Sequence, residues 1–165
     1  MNHLQQLLDK IFYLGQAEKL ALMLRREHRM TVFTNGCFDI LHRGHVEYLS
    51  RAADMGERLV IGLNTDSSVS RLKGPGRPIN DESARAMVLA ALSFVDAVVL
   101  FDEDTPYELI TLLRPDVLVK GSDYSLDQIV GADIVLAGGG RVETLDFIPG
   151  YSTTAIEERI RSSRQ

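Results

Sequence analysis

Apolar and polar positions follow two periods along this chain. Leu4, Leu7, Leu8, Ile11 and Phe12 recur at helical spacing, and Leu20, Ala21, Met23 and Leu24 repeat it after Gly15. That predicts two helices ahead of the main fold. Residues 30–34 and 59–64 (LVIGLN) are then continuous apolar runs of strand length, with a helical pattern over 46–55 between them. A strand, helix, strand unit of this length predicts parallel strands and a right-handed crossover. The alternation continues with a helix over about 81–94, the strand AVVLF at 97–101, a short helix near 106–112 and the strand DVLVK at 116–120. After Ile129 the pattern fits a helix or short strand up to Ala137, a turn at Gly138, Gly139 and Gly140, a strand near 142–146 and a closing helix over 153–160.

Strands this apolar predict a sheet covered on both faces. The fold class is therefore α/β: a doubly wound, Rossmann-like parallel sheet over residues 30–165, preceded by a helical extension over 1–29. Ligands are expected at the carboxyl ends of the strands. At 165 residues and 45% hydrophobic content the chain suits one well-cored domain and is short for two. A formal net charge of -5, from 23 acidic and 18 basic residues, argues against a general nucleic-acid-binding surface. No apolar run approaches the roughly 20 residues that cross a bilayer, and no basic segment plus apolar core opens the chain. No membrane partner is expected, and the expected location is cytoplasmic. A single cysteine, Cys37, excludes an internal disulfide and any zinc site that needs several thiolates, which fits a reducing compartment.

The residues that follow each predicted strand are polar and glycine-rich: Asn35-Gly36-Cys37-Phe38, then Asn64-Thr65-Asp66, then Lys120-Gly121-Ser122-Asp123-Tyr124, with Gly150-Tyr151-Ser152-Thr153-Thr154 before the last helix. Neither G-x-x-x-x-G-K-[ST] nor G-x-G-x-x-G occurs in the expected place, so this is neither a P-loop NTPase nor a standard dinucleotide binder. Phosphate is still the natural ligand, because a helix starting near Gly44 offers free N–H groups and a positive dipole end. His42 and His45, three residues apart, can converge on that end, and Gly44 removes a side chain that would hold phosphate off the backbone. Two imidazoles there can hydrogen-bond the non-bridging oxygens of a phosphorus under in-line attack, commonly the largest catalytic contribution. A phosphate nucleophile, with a second pKa of about 6, needs no general base.

Simpler readings stand beside these. His3 and His28 are expected to face solvent, and Cys37 to pack as a small apolar group. Lys73, in RLKGPGRP, is either a solvated charge or part of a mobile flap tethered by prolines. Arg85 can pair with Asp81 at i,i+4 for at most about 0.5 kcal/mol. Asp39 is expected to fix its loop through backbone N–H groups, and Ser152 or Thr153 to cap a helix whatever else they do. The apolar faces of the first two helices pack on the domain or on a second subunit.

The pattern G-x-F-D-x-x-H-x-G-H is met by Gly36, Phe38, Asp39, His42, Gly44 and His45, and an S-T-T element by Ser152, Thr153 and Thr154. Together with NTDSSVSRLKGPGRPIN, RAMVLAALSFVD, VLVKGSDY and YSTTAI, these make residues 31–160 resemble the H-x-G-H nucleotidyltransferases, which include cytidylyltransferases. The likeness is strongest to the branch that makes ADP-heptose, in a stand-alone form without the sugar kinase often fused ahead of it. Ser122 stands where that branch has a second glycine.

The resemblance implies transfer of AMP from ATP, carrying Mg2+, to D-glycero-β-D-manno-heptose 1-phosphate, with release of pyrophosphate, for lipopolysaccharide or another surface polysaccharide. The alternatives are a cytidylyltransferase acting on glycerol 3-phosphate or another small phosphate, and a nucleotide-sensing protein without turnover. By the same likeness, His42 and His45 hold the triphosphate and steady the transition state, and Lys73 closes over the phosphates. Asn35, Gly36, Cys37, Phe38, Arg85, Lys120, Ser152, Thr153 and Thr154 meet the nucleotide, while Asn64, Asp66, Asp123 and Tyr124 serve the sugar phosphate or ribose. No carboxylate cage for the metal is visible, and a homo-oligomer, dimer or higher, is expected.

Overall fold

The structure is a computed structural model that describes residues 2–122, 125 and 128–163. Its centre is a parallel sheet of β1 (Ile11–Tyr13), β2 (Thr31–Gly36), β3 (Arg58–Asn64), β4 (Ala97–Phe101), β5 (Val117–Gly121) and β6 (Arg141–Leu145). Among the described residues the strands lie in the order β1-β4-β3-β2-β5-β6. From β2 the chain winds outward through β3 to β4, then crosses back to lay β5 on the other side of β2 and continue to β6. The reversal between β2 and β5 is where a doubly wound sheet opens a crevice at its carboxyl edge.

Helices cover both faces, as the unbroken apolar runs predicted. Neighbouring residues of one strand serve opposite faces: Val32 and Ile61 join one apolar cluster, Phe33 and Val60 the other. The first cluster takes in Leu49 and Ala52 of α3 (Arg43–Ala53) and Ala86, Leu89 and Ala90 of α5 (Glu82–Ala90), with half-buried Leu7 of α1 (His3–Leu8) packed against it. The second is closed by Leu20, Ala21 and Leu24 of α2 (Ala17–Glu27), by Leu109, Ile110 and Leu113 of α6 (Tyr107–Leu113), and by Val135 of α7 (Ala132–Ala137). A buried leucine contributes about 2 kcal/mol, so α2 is held chiefly by its packing. α8 (Thr153–Ser162) buries no residue fully.

Two local expectations are corrected. Ile11 and Phe12 sit in β1, where the spacing predicted the end of the first helix. α1 stops after six residues, and the Val98 N–H donates to the Lys10 carbonyl at 2.8 Å, which aligns Ile11 with Val98 along the exposed edge of β4. A pairing partner some 85 positions away, with the Lys10 ammonium tied to the Val95 carbonyl at 2.7 Å, overrides the local periodicity. The apolar pattern predicted no element between the strand at 59–64 and the helix from about 81, yet Asp66–Lys73 form a helix, α4. The Thr65 hydroxyl caps it by accepting from the Ser68 N–H at 3.2 Å. No helix among the described residues is long and apolar enough to cross a membrane.

Candidate active site

β2 ends at Gly36, and the loop that follows folds back over its own end. Phe38 takes a left-handed φ of 44°, which turns its ring under the loop and edge-on to the His45 ring at 5.4 Å. His42 is the extended N-cap of α3: its Nδ1 accepts from the His45 N–H at 3.3 Å. With Nδ1 accepting, the neutral ring carries its proton on Nε2, which leaves that N–H to donate elsewhere. The two imidazoles stack with centroids 3.8 Å apart and an interplanar angle of 17°. Burial pulls the His45 pKa down to about 4, and the neighbouring His42 and Lys73 add to the fall. Burial also lowers His42. Both rings are therefore neutral near pH 7, and His45 Nδ1 is buried with no hydrogen-bond partner among the described residues.

Gly44 has a different physical reason from the one expected. A Cβ there would lie 3.0 Å from the Tyr151 Cβ and 3.1 Å from the His42 ring. The missing side chain thus lets the segment before α8 close against the start of α3. The Arg43 guanidinium donates to the Tyr151 hydroxyl at 3.3 Å across the same seam. Two helix N-termini come together here: α3 capped by His42, and α8 capped by the Ser152 hydroxyl, which accepts from the Ala155 N–H at 3.1 Å. Ser152 and Thr154 are exposed and Thr153 half-buried.

A cleft of about 520 Å³ opens at the carboxyl ends of β2, β3 and β5, and it gathers Asn35, Gly36, Cys37, Phe38, His45, Asn64, Lys73 and Lys120. The Lys120 ammonium donates to the Asn35 amide oxygen, joining the two strands across the reversal. Tyr48, hydrogen-bonded to Thr34 at 2.9 Å, and Phe147, its ring 5.3 Å from that of Tyr48, form an aromatic wall. Burial pushes the Cys37 thiol up, against the pull of nearby Lys73 and Arg85; the side chain is half-buried in the cleft wall beside the Asn64 amide rather than in either apolar cluster. Lys73 closes α4 at the cleft mouth, exposed, just before Gly74 at φ 96°. A second cavity of about 440 Å³ lies at the other end of β2 and β5, lined by Arg25, Arg114, Glu57 and Asp116. His28 and Arg29 line it too, and it lies at the carbonyl ends of α2 and α6, whose dipoles disfavour an anion.

Arg85 and Asp66 are not presented to the cleft. Arg85 is 2% exposed, and its guanidinium donates to the carbonyls of Cys37 at 2.7 Å, Asn64 at 2.8 Å and Asn80 at 3.0 Å, and to the Asp66 carboxylate at 2.7 Å. It pins the β2, β3 and α5 ends to one another. The suggested Asp81 partner instead caps α5 through the Ala84 N–H. Asn64 lines the cleft, with its side-chain N–H bound to Ser68 at 2.9 Å. Asp39 accepts from the N–H groups of Ile79 at 2.8 Å and Asn80 at 3.0 Å and from Arg77 at 2.7 Å. Burial opposes its ionisation, but these donors outweigh it and hold the carboxyl below its ordinary value. That agrees with the structural role expected, although its partners come from the loop after α4. His3 and His28 are exposed, and Asp123 and Tyr124 lie outside the described residues. Among the described residues no three His, Cys, Asp or Glu side chains gather as a metal site. Asp39 is already engaged by Arg77 and two backbone N–H groups.

Residues 33–159 match the family model described as cytidylyltransferase-like. The chain belongs to the cytidylyltransferase-like family. That makes it a nucleotidyltransferase, the class the histidine pattern implied. This cytidylyltransferase-like chain is 54% identical over 94% of its length to the bifunctional protein HldE of Magnetococcus marinus and 60% identical over 82% to that of Syntrophotalea carbinolica, covering 32% and 28% of those proteins. It therefore spans about a third of the length of these relatives. Among solved structures it is similar to the lipopolysaccharide core biosynthesis protein from Thermoplasma volcanium, with a TM-score of 0.59 and 29% identity, covering 73% of this chain and 97% of that one. Pantoate-beta-alanine ligase from Francisella tularensis, at a TM-score of 0.58 and 11% identity over 94% of this chain and 78% of its own, shares the fold alone.

Proposed function

We propose that the chain transfers AMP from Mg–ATP to D-glycero-β-D-manno-heptose 1-phosphate and releases pyrophosphate, supplying ADP-heptose for lipopolysaccharide or another surface polysaccharide. The observation that carries this reading is the His42–His45 stack at the head of α3, beside the start of α8 and next to a cleft at the reversal of the sheet. Neutral imidazole N–H groups and two sets of unpaired helix N–H groups meet charge growing on the α-phosphoryl oxygens. The sugar phosphate attacks through an ionised oxygen, so the lack of a positioned general base costs nothing. Lys73 closes over the β- and γ-phosphates, and magnesium arrives on the nucleotide. Identity above 50% to the HldE proteins supports the heptose assignment. Cytoplasmic ATP sets the location, and we infer a homo-oligomer.

Pyrophosphate release is the test. Purified protein with magnesium and ATP is offered a panel of sugar 1-phosphates and glycerol 3-phosphate, with CTP in parallel. The expected result is turnover that requires ATP and the heptose phosphate. Preference for CTP and glycerol 3-phosphate would replace the acceptor and nucleotide assignments. Tight ATP binding with no product, unaffected by His45→Ala, would make the protein a nucleotide sensor.

A further inference from the structure

The three segments that supply the phosphate-facing groups belong to different parts of the chain. Lys73 ends α4, His42 and His45 follow β2, and Ser152, Thr153 and Thr154 open α8. Packing alone does not hold them in mutual register, because α8 buries no residue fully. One side chain outside the histidine pattern touches two of these segments and belongs to the third. The Arg77 guanidinium, four residues beyond Lys73, donates through Nη1 to Asp39 at 2.7 Å, three residues before His42. Its Nη2 pairs with Glu157, one helical turn after Thr153. The Asp39 side chain is 1% exposed, and those of Arg77 and Glu157 are 19% and 20% exposed, so the network is largely sheltered from water and salt.

We propose that Arg77 is a positioning residue that clamps the Lys73 loop, the histidine loop and the N-terminus of α8 into one phosphate-binding geometry. The guanidinium reaches two carboxylates at once, through a hydrogen bond to Asp39 and an ion pair to Glu157, where the compact ammonium of a lysine offers no such separated pair of nitrogens. Asp39 retains the N–H groups of Ile79 and Asn80 when Arg77 is changed, so the histidine loop keeps its own anchor. The arm to α8 is less well backed: among the described residues the polar contact that joins the start of that helix to α3 is the exposed Arg43–Tyr151 pair, beside the fit at Gly44, and its own residues are at most half-buried. Loss of Arg77 therefore acts first on α8 and on the register of Lys73.

This inference rests on the adenylyl-transfer reading for its consequence and on geometry alone for the coupling, so the experiment reads the two separately. Arg77→Met, Arg77→Lys, Glu157→Gln and the double variant Arg77→Met/Glu157→Gln are compared with the parent by amide hydrogen exchange over residues 153–162 without ligand, and by pyrophosphate release with ATP and heptose 1-phosphate. Arg77→Met is expected to speed exchange in α8 and to lower kcat/KM roughly 100-fold, the size expected when reacting groups are displaced by about 1 Å. Its KM for ATP rises more than its KM for the sugar phosphate. Arg77→Lys recovers part of the loss, and the double variant is no worse than Arg77→Met. Unchanged exchange in α8, or losses that simply add in the double variant, would overturn the clamp. Should Arg77→Met fail to fold, Glu157→Gln decides, since it cuts only the arm to α8 and must by itself speed exchange there. If the parent protein releases no pyrophosphate with any acceptor, the reaction assignment fails while the exchange result still accepts or rejects the coupling.

Discussion

His42 and His45 stack at 3.8 Å while the His42 Nδ1 accepts the His45 backbone N–H, so one side chain fixes both the helix cap and the tautomer that points a donor away from the helix. The rings act as a unit. His45→Ala and His42→Ala are each expected to lower pyrophosphate release by roughly 100- to 1,000-fold, the range for removal of one preorganised donor to a developing oxyanion. The double variant should lose far less than the product of the two, because removal of either ring disorders the other. Initial rates at saturating ATP check this, and fully multiplicative losses would show that the rings work independently.

The depressed histidine pKa values give a pH signature with a definite sign. His45 falls from an ordinary 6.5 to about 4, so the unfolded chain takes up its proton first as pH drops. Stability contributed by keeping this ring neutral is therefore lost progressively between about pH 6.5 and pH 4. Asp39, held below its ordinary 3.8, adds stability above that value and loses it only at still lower pH. His45→Ala should flatten the upper part of the urea-midpoint profile and leave the lower part intact. A bound triphosphate favours the imidazolium instead, so ATP binding near pH 5.5 should take up protons. Calorimetry in two buffers of different ionisation enthalpy measures that uptake, and none is expected near pH 8.

Arg85 offers a stability prediction separate from catalysis. Its replacement by methionine leaves three carbonyls, from Cys37, Asn64 and Asn80, and the Asp66 carboxylate without their shared donor. Buried acceptors that lose a charged partner cost about 1–3 kcal/mol each, with relaxation recovering part. Arg85→Met should therefore destabilise the protein by about 3 kcal/mol in urea titrations, and Arg85→Lys should recover less than half.

How far this was legible in the sequence depends on how far away each residue's partners lie. β3 and β4 were readable because LVIGLN and AVVLF carry their own apolar signal and both faces are buried. The histidine pair was readable because its partner is the backbone three residues on. α4 was not, since DSSVSRLK buries only Ser68 and Val69 and its start is fixed by a Thr65 cap rather than an apolar stripe. β1 was hidden because Ile11 and Phe12 fit the helical spacing of Leu4, Leu7 and Leu8. Arg85 and Arg77 were misjudged or passed over for the same reason: three of Arg85's four acceptors lie 19 to 48 positions away along the chain and those of Arg77 lie 38 to 80 away, where no local pattern reports them.

Gly44 tests the seam between α3 and α8 from the other side. Its absent side chain was expected to clear a path for phosphate, but the space is filled by Tyr151 and the His42 ring. A methyl group at 3.0–3.1 Å from both forces them apart by a few tenths of an ångström, while Gly44 itself gains helix propensity of about 1 kcal/mol. The two effects on stability oppose each other, so Gly44→Ala should shift the urea midpoint little. Activity has no such offset, because the His42 ring and the start of α8 both move. The expected outcome is a drop of tenfold or more in kcat/KM, in line with the roughly 100-fold cost of a full 1 Å displacement. A variant that keeps full activity would mean that His42 and α8 need not stand in fixed register for the reaction.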